Sequence, residues 1–198
     1  TNASRTLIYN IDTLSWDNEL LSILDIPKEI LPVIKKSCYN FGTTNLKFIK
    51  NSIPITGIAG DQQAALYGQK CIMPGDTKCT YGTGCFLLTN IGEKRRKIKS
   101  GLITTLACDI NGNPIYAIEG SIFMGGAIIQ WLRDELGIIK KADDSEKIAQ
   151  SINSSNNIVI VPAFTGLGAP YWDMNARGII TGLTRGTNKK HIVRAALE

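Results

Sequence analysis

The chain has 198 residues, enough to bury a core of one or two compact units, and its composition is that of an ordinary soluble globular protein. Its formal net charge of +5 is mild and comes partly from two local clusters, residues 94–97 (Lys-Arg-Arg-Lys) and the pair Lys35-Lys36, rather than from one extended basic face. No aromatics interleave with these charges and residues 94–97 follow the turn signal Asn90-Ile91-Gly92, so a solvated loop tip is expected there and nucleic acid is not expected as a partner.

In chain order, residues 5–11 (RTLIYNI) alternate as a strand does. Residues 16–24 carry helical spacing, with Asp17 near the start and Asp25-Ile26-Pro27 as the stop. Residues 28–31 read as a short helical turn closed by Pro32, and residues 33–51 as an extended connection ending in a loop around 47–52. A strand then runs into Asp61-Gln62, followed by the Ala-rich run Ala64, Ala65, Leu66. Capping of a helix explains an aspartate in that place; a carboxylate there can equally accept a proton from an attacking hydroxyl.

Residues 77–81 and 85–89 read as paired strands around the tip Gly82-Thr83-Gly84. Glycines take positive φ cheaply and let another molecule's oxygens reach the backbone, as a phosphate does, although any tight hairpin shows the same residues. Residues 101–108 and 114–119 form two more strand-like runs, joined through Asn111-Gly112, a strong hairpin signal. Ile122, Gly126, Ile129, Leu132, Arg133 and Leu136 mark one amphipathic helix and residues 143–152 a second. Residues 151–157 are a polar linker, and the β-branched run at 158–161 suits a fully buried strand stopped by Pro162. Residues 165–173 (TGLGAPYWD) gather side chains in the manner of a site but read as a structural loop, and the lone His191 reads as a solvated helix residue. This order of strands, helix, helix and strand supports a mixed α/β class.

Five cysteines (Cys38, Cys71, Cys79, Cys85, Cys108), none in a C-x-x-C spacing, argue against a disulfide framework or a zinc site and for buried or half-buried thiols in a reducing compartment. No apolar run approaches the roughly twenty residues of a membrane span, and no signal peptide is visible, so a cytoplasmic protein without a membrane partner is expected. The sequence has no start Met and stops inside a helical pattern, which leads us to expect a fragment of a longer protein.

Residues 57–69 (GIAGDQQAALYGQ) followed by 80–88 (TYGTGCFLL) closely resemble the glycerol kinases of the FGGY carbohydrate kinase family. The runs EGSIF (119–123), GGAIIQWLRD (125–134) and PAFTGLGAPYWD (162–173) agree in the same order, and residues 182–198 are similar to the family's C-terminal signature. The resemblance covers nearly the whole chain, more loosely over residues 1–52 apart from TNASRT.

It implies part of a ribonuclease H-like lobe of the actin-like ATPase superfamily, with residues 1–56 ending an N-terminal domain and 57–198 beginning a nucleotide-binding C-terminal domain. It also implies ATP-dependent phosphorylation of glycerol to glycerol 3-phosphate, with Mg2+, by a homo-oligomer of the full-length protein. Asp61 would take the proton of the attacking hydroxyl and Gln62 would hydrogen-bond the triol. Phe86 would lay its ring on the glycerol carbons, with plain core packing as the alternative. Gly82 and Thr83 would face the ATP phosphates, while Gly126 and Gln130, at i and i+4, would lie by the nucleotide. Without the resemblance, the Gly125-Gly126 pair reads as close helix packing. An Arg-Glu pair, a Tyr and a magnesium-associated Asp belong to parts of the family fold outside this chain. In several bacterial glycerol kinases a glycine-rich loop with a basic residue beside a proline binds the inhibitor fructose 1,6-bisphosphate. Here residues 46–52 have no glycine, and Ser52 precedes Ile53-Pro54, so that inhibition is not expected. The alternatives are another FGGY sugar kinase, such as a xylulokinase or gluconokinase, and a non-catalytic actin-like nucleotide-binding protein.

Overall fold

In the computed structural model, which describes residues 1–48, 50–96, 98 and 100–198, the opening residues form a 3-10 turn at Ala3–Arg5. Of the strand expected over 5–11, only Tyr9–Asn10 (β1) is extended, paired antiparallel with Ser15–Trp16 (β2). The run is interrupted at Leu7, which takes a φ of 66° and points into solvent. The next helix follows expectation as Asn18–Ile23 (α1), because the Asp17 carboxylate accepts from the backbone N–H groups of Glu19 and Leu20 at its start. A 3-10 turn at Lys28–Ile30 follows. The connection beyond it folds back on itself through isolated bridges, Cys38 to Gly57 and Thr43 to Pro54, and backbone bonds such as Phe41 N–H to the Ile55 carbonyl at 2.9 Å, and among the described residues no strand of the kind expected precedes Asp61. Ile49 of the 46–52 loop and Lys97 of the basic cluster lie outside the described residues.

Asp61–Gly68 (α2) buries Gln63 and Leu66 on one face. The main sheet has the order β3-β4-β6-β5, from Thr77–Tyr81 (β3), Cys85–Gly92 (β4), Ile103–Cys108 (β5) and Pro114–Ile122 (β6). β5 and β6 are antiparallel in the register Ile103 to Glu119 through Cys108 to Pro114. The Asp109 carboxylate closes their turn by accepting from the N–H groups of Asn111 and Asn113, and Gly112 supplies a φ of +74°. Leu66 packs with Cys71, Leu88, Ala107, Ile115 and Ala117 in a core between α2 and the sheet.

The chain divides into two compact units, Thr1–Cys79 with Leu87–Glu119, and Thr80–Phe86 with Gly120–Glu198. The second unit contains Ala127–Asp134 (α3), Asp144–Gln150 (α4) and Lys189–Leu197 (α5). Their core is Leu132, Ile139 and Val193, with Ile129, Trp131, Ile148 and Ile192 packed around it. Arg194 donates to the carbonyls of Ala149 and Ile152, satisfying the open end of α4. The helix expected from Ile122 begins only at Ala127, because Ile122 completes β6 and the Gly125-Gly126 pair makes the turn between them. Val159–Val161 (β7) pairs antiparallel with Ile179–Thr181 (β8). The fully buried strand expected here is corrected: Val159 and Val161 are exposed, and burial is confined to Ile158 just before the strand.

Residues 162–173 form an internally bonded loop. Leu167 bridges Asp173, and the Ala169 N–H donates to the Ser121 carbonyl at 2.8 Å. At Gly168 a Cβ would lie 2.1 Å from that same carbonyl oxygen. The glycine therefore marks close backbone packing, as a structural loop requires. His191 is likewise structural. Its Nδ1 accepts the backbone N–H of Asn188 at 3.2 Å, while the Asn188 side chain accepts from Lys190, so the two residues form a capping box at the start of α5.

Candidate functional site

Asp61 is the first residue of α2, and Gly60, without a side-chain hydrogen bond, is the cap. The capping explanation for Asp61 therefore does not hold in the simple form the sequence suggests. Its Oδ1 accepts the next backbone N–H, that of Gln62, at 2.8 Å, and Oδ2 faces the Gln62 amide at 3.4 Å. The carboxylate is exposed and Gln62 half-buried, an arrangement open to a ligand. Glycine at position 60 has a steric cause: a Cβ there would lie 2.5 Å from Gln63 Oε1. Gln63 is buried and donates through Nε2 to Thr105 Oγ1 at 3.1 Å.

Behind this pair lies a group of charges that the sequence did not reveal. Lys78, on β3, is only 5% exposed and donates from Nζ to Gln62 Oε1. Burial pulls its ammonium below the ordinary lysine value, while the thiol of Cys79 and the carboxylates of Glu119 and Asp61 act in the opposite direction. Glu119, 2% exposed, receives a two-pronged ion pair from Arg5, Nη1 to Oε2 at 2.7 Å and Nη2 to Oε1 at 3.2 Å. Arg5 Nη1 also reaches Thr105 Oγ1 at 3.4 Å. Lys78 escapes sequence reading because one lysine inside a Thr-Lys-Cys-Thr run carries no motif. Only strand register shows that its side chain is the buried one of β3.

In the second unit the hairpin tip and the start of α3 are built together. The carbonyl of Gly82 accepts from the Gly126 N–H at 2.7 Å, and that of Thr83 accepts from Gly125 at 2.7 Å and Ala127 at 3.2 Å. The N–H of Ala127, the first residue of α3, and those of the two glycines before it are thus spent on the tip. Neither Gly82 nor Gly84 has positive φ; proximity accounts for Gly84 and Gly126, whereas a Cβ on Gly82 would meet nothing closer than 3.9 Å. A Cβ on Gly84 would sit 2.5 Å from the Ile122 carbonyl oxygen, and one on Gly126 would sit 2.9 Å from that of Gly82. The structure therefore brings Gly82, Thr83 and Gly126 together, with Gly82 and Thr83 exposed. Gln130 lies one turn along α3 with its side chain exposed, and Phe86 is half-buried on β4. All five cysteines are reduced thiols; Cys38 and Cys79 are exposed, which corrects the expectation that every one would be buried or half-buried. No helix among the described residues is long and apolar enough to cross a membrane.

Residues 1–68 match the FGGY family of carbohydrate kinases, N-terminal domain, and residues 77–198 match its C-terminal domain. The chain is 59% identical over its full 198 residues to the glycerol kinase of Shewanella sp. (strain ANA-3), of which it covers 40%. It therefore spans about two fifths of the length of the curated relatives it matches. It superposes on a crystal structure of Plasmodium falciparum glycerol kinase with ADP at a TM-score of 0.86 and 43% identity, covering 100% of this chain and 40% of that one. Gluconate kinase from Lactobacillus acidophilus gives a TM-score of 0.79 at 29% identity, over 97% of this chain and 40% of that one. The fold is accordingly the ribonuclease H-like fold of the actin-like ATPases, present in part. With both of its domains matched in order, the chain belongs to the FGGY family of carbohydrate kinases.

Proposed function

We propose that the protein carrying this chain is a glycerol kinase, in which a hydroxyl oxygen of glycerol attacks the γ-phosphorus of ATP to give glycerol 3-phosphate and ADP. The observation that carries this reading is the Asp61-Gln62 pair: an exposed carboxylate flanked by an amide donor, backed by a buried cation. A carboxylate and an N–H donor side by side recognise adjacent hydroxyls, one giving its proton to Asp61 and the other accepting from Gln62. Asp61 first orients the nucleophile, then takes the proton as the phosphoryl moves. Greater identity to a glycerol kinase than to a gluconate kinase structure supports glycerol as the acceptor.

Gly82 and Thr83 present an exposed tip suited to the ATP phosphates, and the exposed Gln130 offers a polar edge to the nucleotide on the same helix as Gly126. Phe86 supplies an apolar wall for the glycerol carbons. Mg2+ accompanies ATP in this reading. Such an ion is held largely by phosphate oxygens and water, with one or two protein carboxylates. An ATP-consuming reaction on a small polyol suits the cytoplasm, where we expect the protein to assemble from copies of itself. Steady-state rates of the full-length protein on glycerol, xylulose and gluconate test the assignment, and a preference for either sugar overturns it.

A further inference from the structure

The usefulness of Gln62 depends on which end of its amide faces the acceptor, and the Asp61-Gln62 dipeptide alone does not decide that. The two neighbours of the amide do. On one side Lys78 Nζ donates to Gln62 Oε1; on the other Gln62 Nε2 donates to Asp61 Oδ2 at 3.4 Å. An ammonium has donors only and an ionised carboxylate acceptors only, so an amide between them has one satisfied orientation. Turned over, it would set N–H against N–H at Lys78 and oxygen against oxygen at Asp61.

We propose that Lys78 is a positioning residue that locks the Gln62 amide with its N–H2 group toward Asp61 and the acceptor hydroxyls. A lysine that is 5% exposed pays a desolvation cost that an apolar side chain of its length avoids, so its place on β3 calls for a reason. The surrounding charges make it tolerable: Glu119 lies behind it, paired to Arg5, and Asp61 in front, so two cations and two carboxylates share the site. The bond to Gln62 Oε1 links Lys78 to the exposed pair. The acceptor in this inference rests on the glycerol kinase reading; the orientation of the amide rests on the geometry.

The test uses the full-length protein as wild type, Lys78→Met, Gln62→Ala and the double variant. Lys78→Met is expected to raise KM for glycerol about tenfold or more, the scale of one charge-assisted hydrogen bond, with KM for ATP within about twofold. The double variant should then be no worse than Gln62→Ala, because the lysine acts through the glutamine. In a crystal structure of Lys78→Met the Gln62 side chain should leave Asp61. An unchanged KM for glycerol, effects that add, or a Gln62 amide that keeps its place overturns the proposal. If Lys78→Met does not fold, Lys78→Gln, which keeps a donor without the charge, is expected to retain the Gln62 orientation; loss of it in a folded protein also overturns the proposal. Wild-type protein inactive on glycerol would overturn the proposed function only, and the Gln62 orientation in the variant crystal would still decide this inference.

Discussion

Asp61 stands where a helix-start residue and a proton acceptor look alike in sequence, and the two roles predict different variants. Asp61→Asn keeps an oxygen for the Gln62 N–H but removes the basic group. In the full-length protein it should lower kcat by about 10²–10⁴-fold while KM for ATP stays within a few-fold. Turnover close to wild type would reduce Asp61 to a structural residue. Arg5 predicts the opposite pattern, a loss of stability. Arg5→Ala takes the bidentate partner from the buried Glu119 carboxylate, and the cost should be on the order of 3 kcal/mol, the low end for a broken buried pair because Arg5 is partly exposed. Denaturant unfolding measures it, and adding Glu119→Gln should recover part of the loss.

Among the elements, the hairpin between β3 and β4 separates two glycines that look equivalent in sequence. Gly84→Ala places a methyl 2.5 Å from the Ile122 carbonyl oxygen, a backbone atom that cannot swing aside. It should cost about 1–3 kcal/mol. Gly82→Ala meets nothing closer than 3.9 Å, so its stability should change by less than about 0.5 kcal/mol. Any rise in KM for ATP in that second variant would then report approach of the phosphates to the tip. Thermal melting of both variants, alongside ATP kinetics, checks the pair; equal melting temperatures would contradict the packing argument. Helix α1 carries a pH prediction. The Leu20 N–H first, and the Asn10 side chain next, hold the Asp17 carboxyl below its ordinary value. Its folded value lies below the unfolded one, so this contribution is complete above about pH 3.9 and fades as pH falls through the lowered value. Asp17→Asn keeps a capping acceptor but does not titrate, and should flatten the acid limb of the stability curve. An unchanged acid limb would show that the cap contributes nothing there.

For the whole molecule, two predictions follow from what the chain contains. The full-length protein should be insensitive to fructose 1,6-bisphosphate, since residues 46–52 lack the glycines that would fold a backbone nest and Ser52 stands before Ile53-Pro54; strong inhibition in a titration at physiological salt would contradict this. Expressed alone, residues 1–198 should show no glycerol kinase activity, because in-line positioning of alcohol and phosphoryl accounts for roughly 7–11 kcal/mol of such a barrier and this chain spans about 40% of its relatives' length. A coupled assay on the purified chain showing turnover near that of a complete kinase would refute it. The sequence by itself determined the mixed α/β class, the hairpins at Gly82-Thr83-Gly84 and Asn111-Gly112, and the candidate pair Asp61-Gln62. Those features are local: turn chemistry, strand alternation and helix starts are set by residues a few positions apart. Tertiary structure alone decided that Leu7 interrupts the expected run so that the first strand starts only at Tyr9, that Gly84 and Gly168 exist to admit carbonyl oxygens, and that Lys78 lies behind Gln62. Lys78 and Gln62 are 16 positions apart, and Arg5 and Glu119 are 114. No periodicity carries over such distances, because which side chains meet there is fixed by strand register and by the desolvation of charges packed against one another.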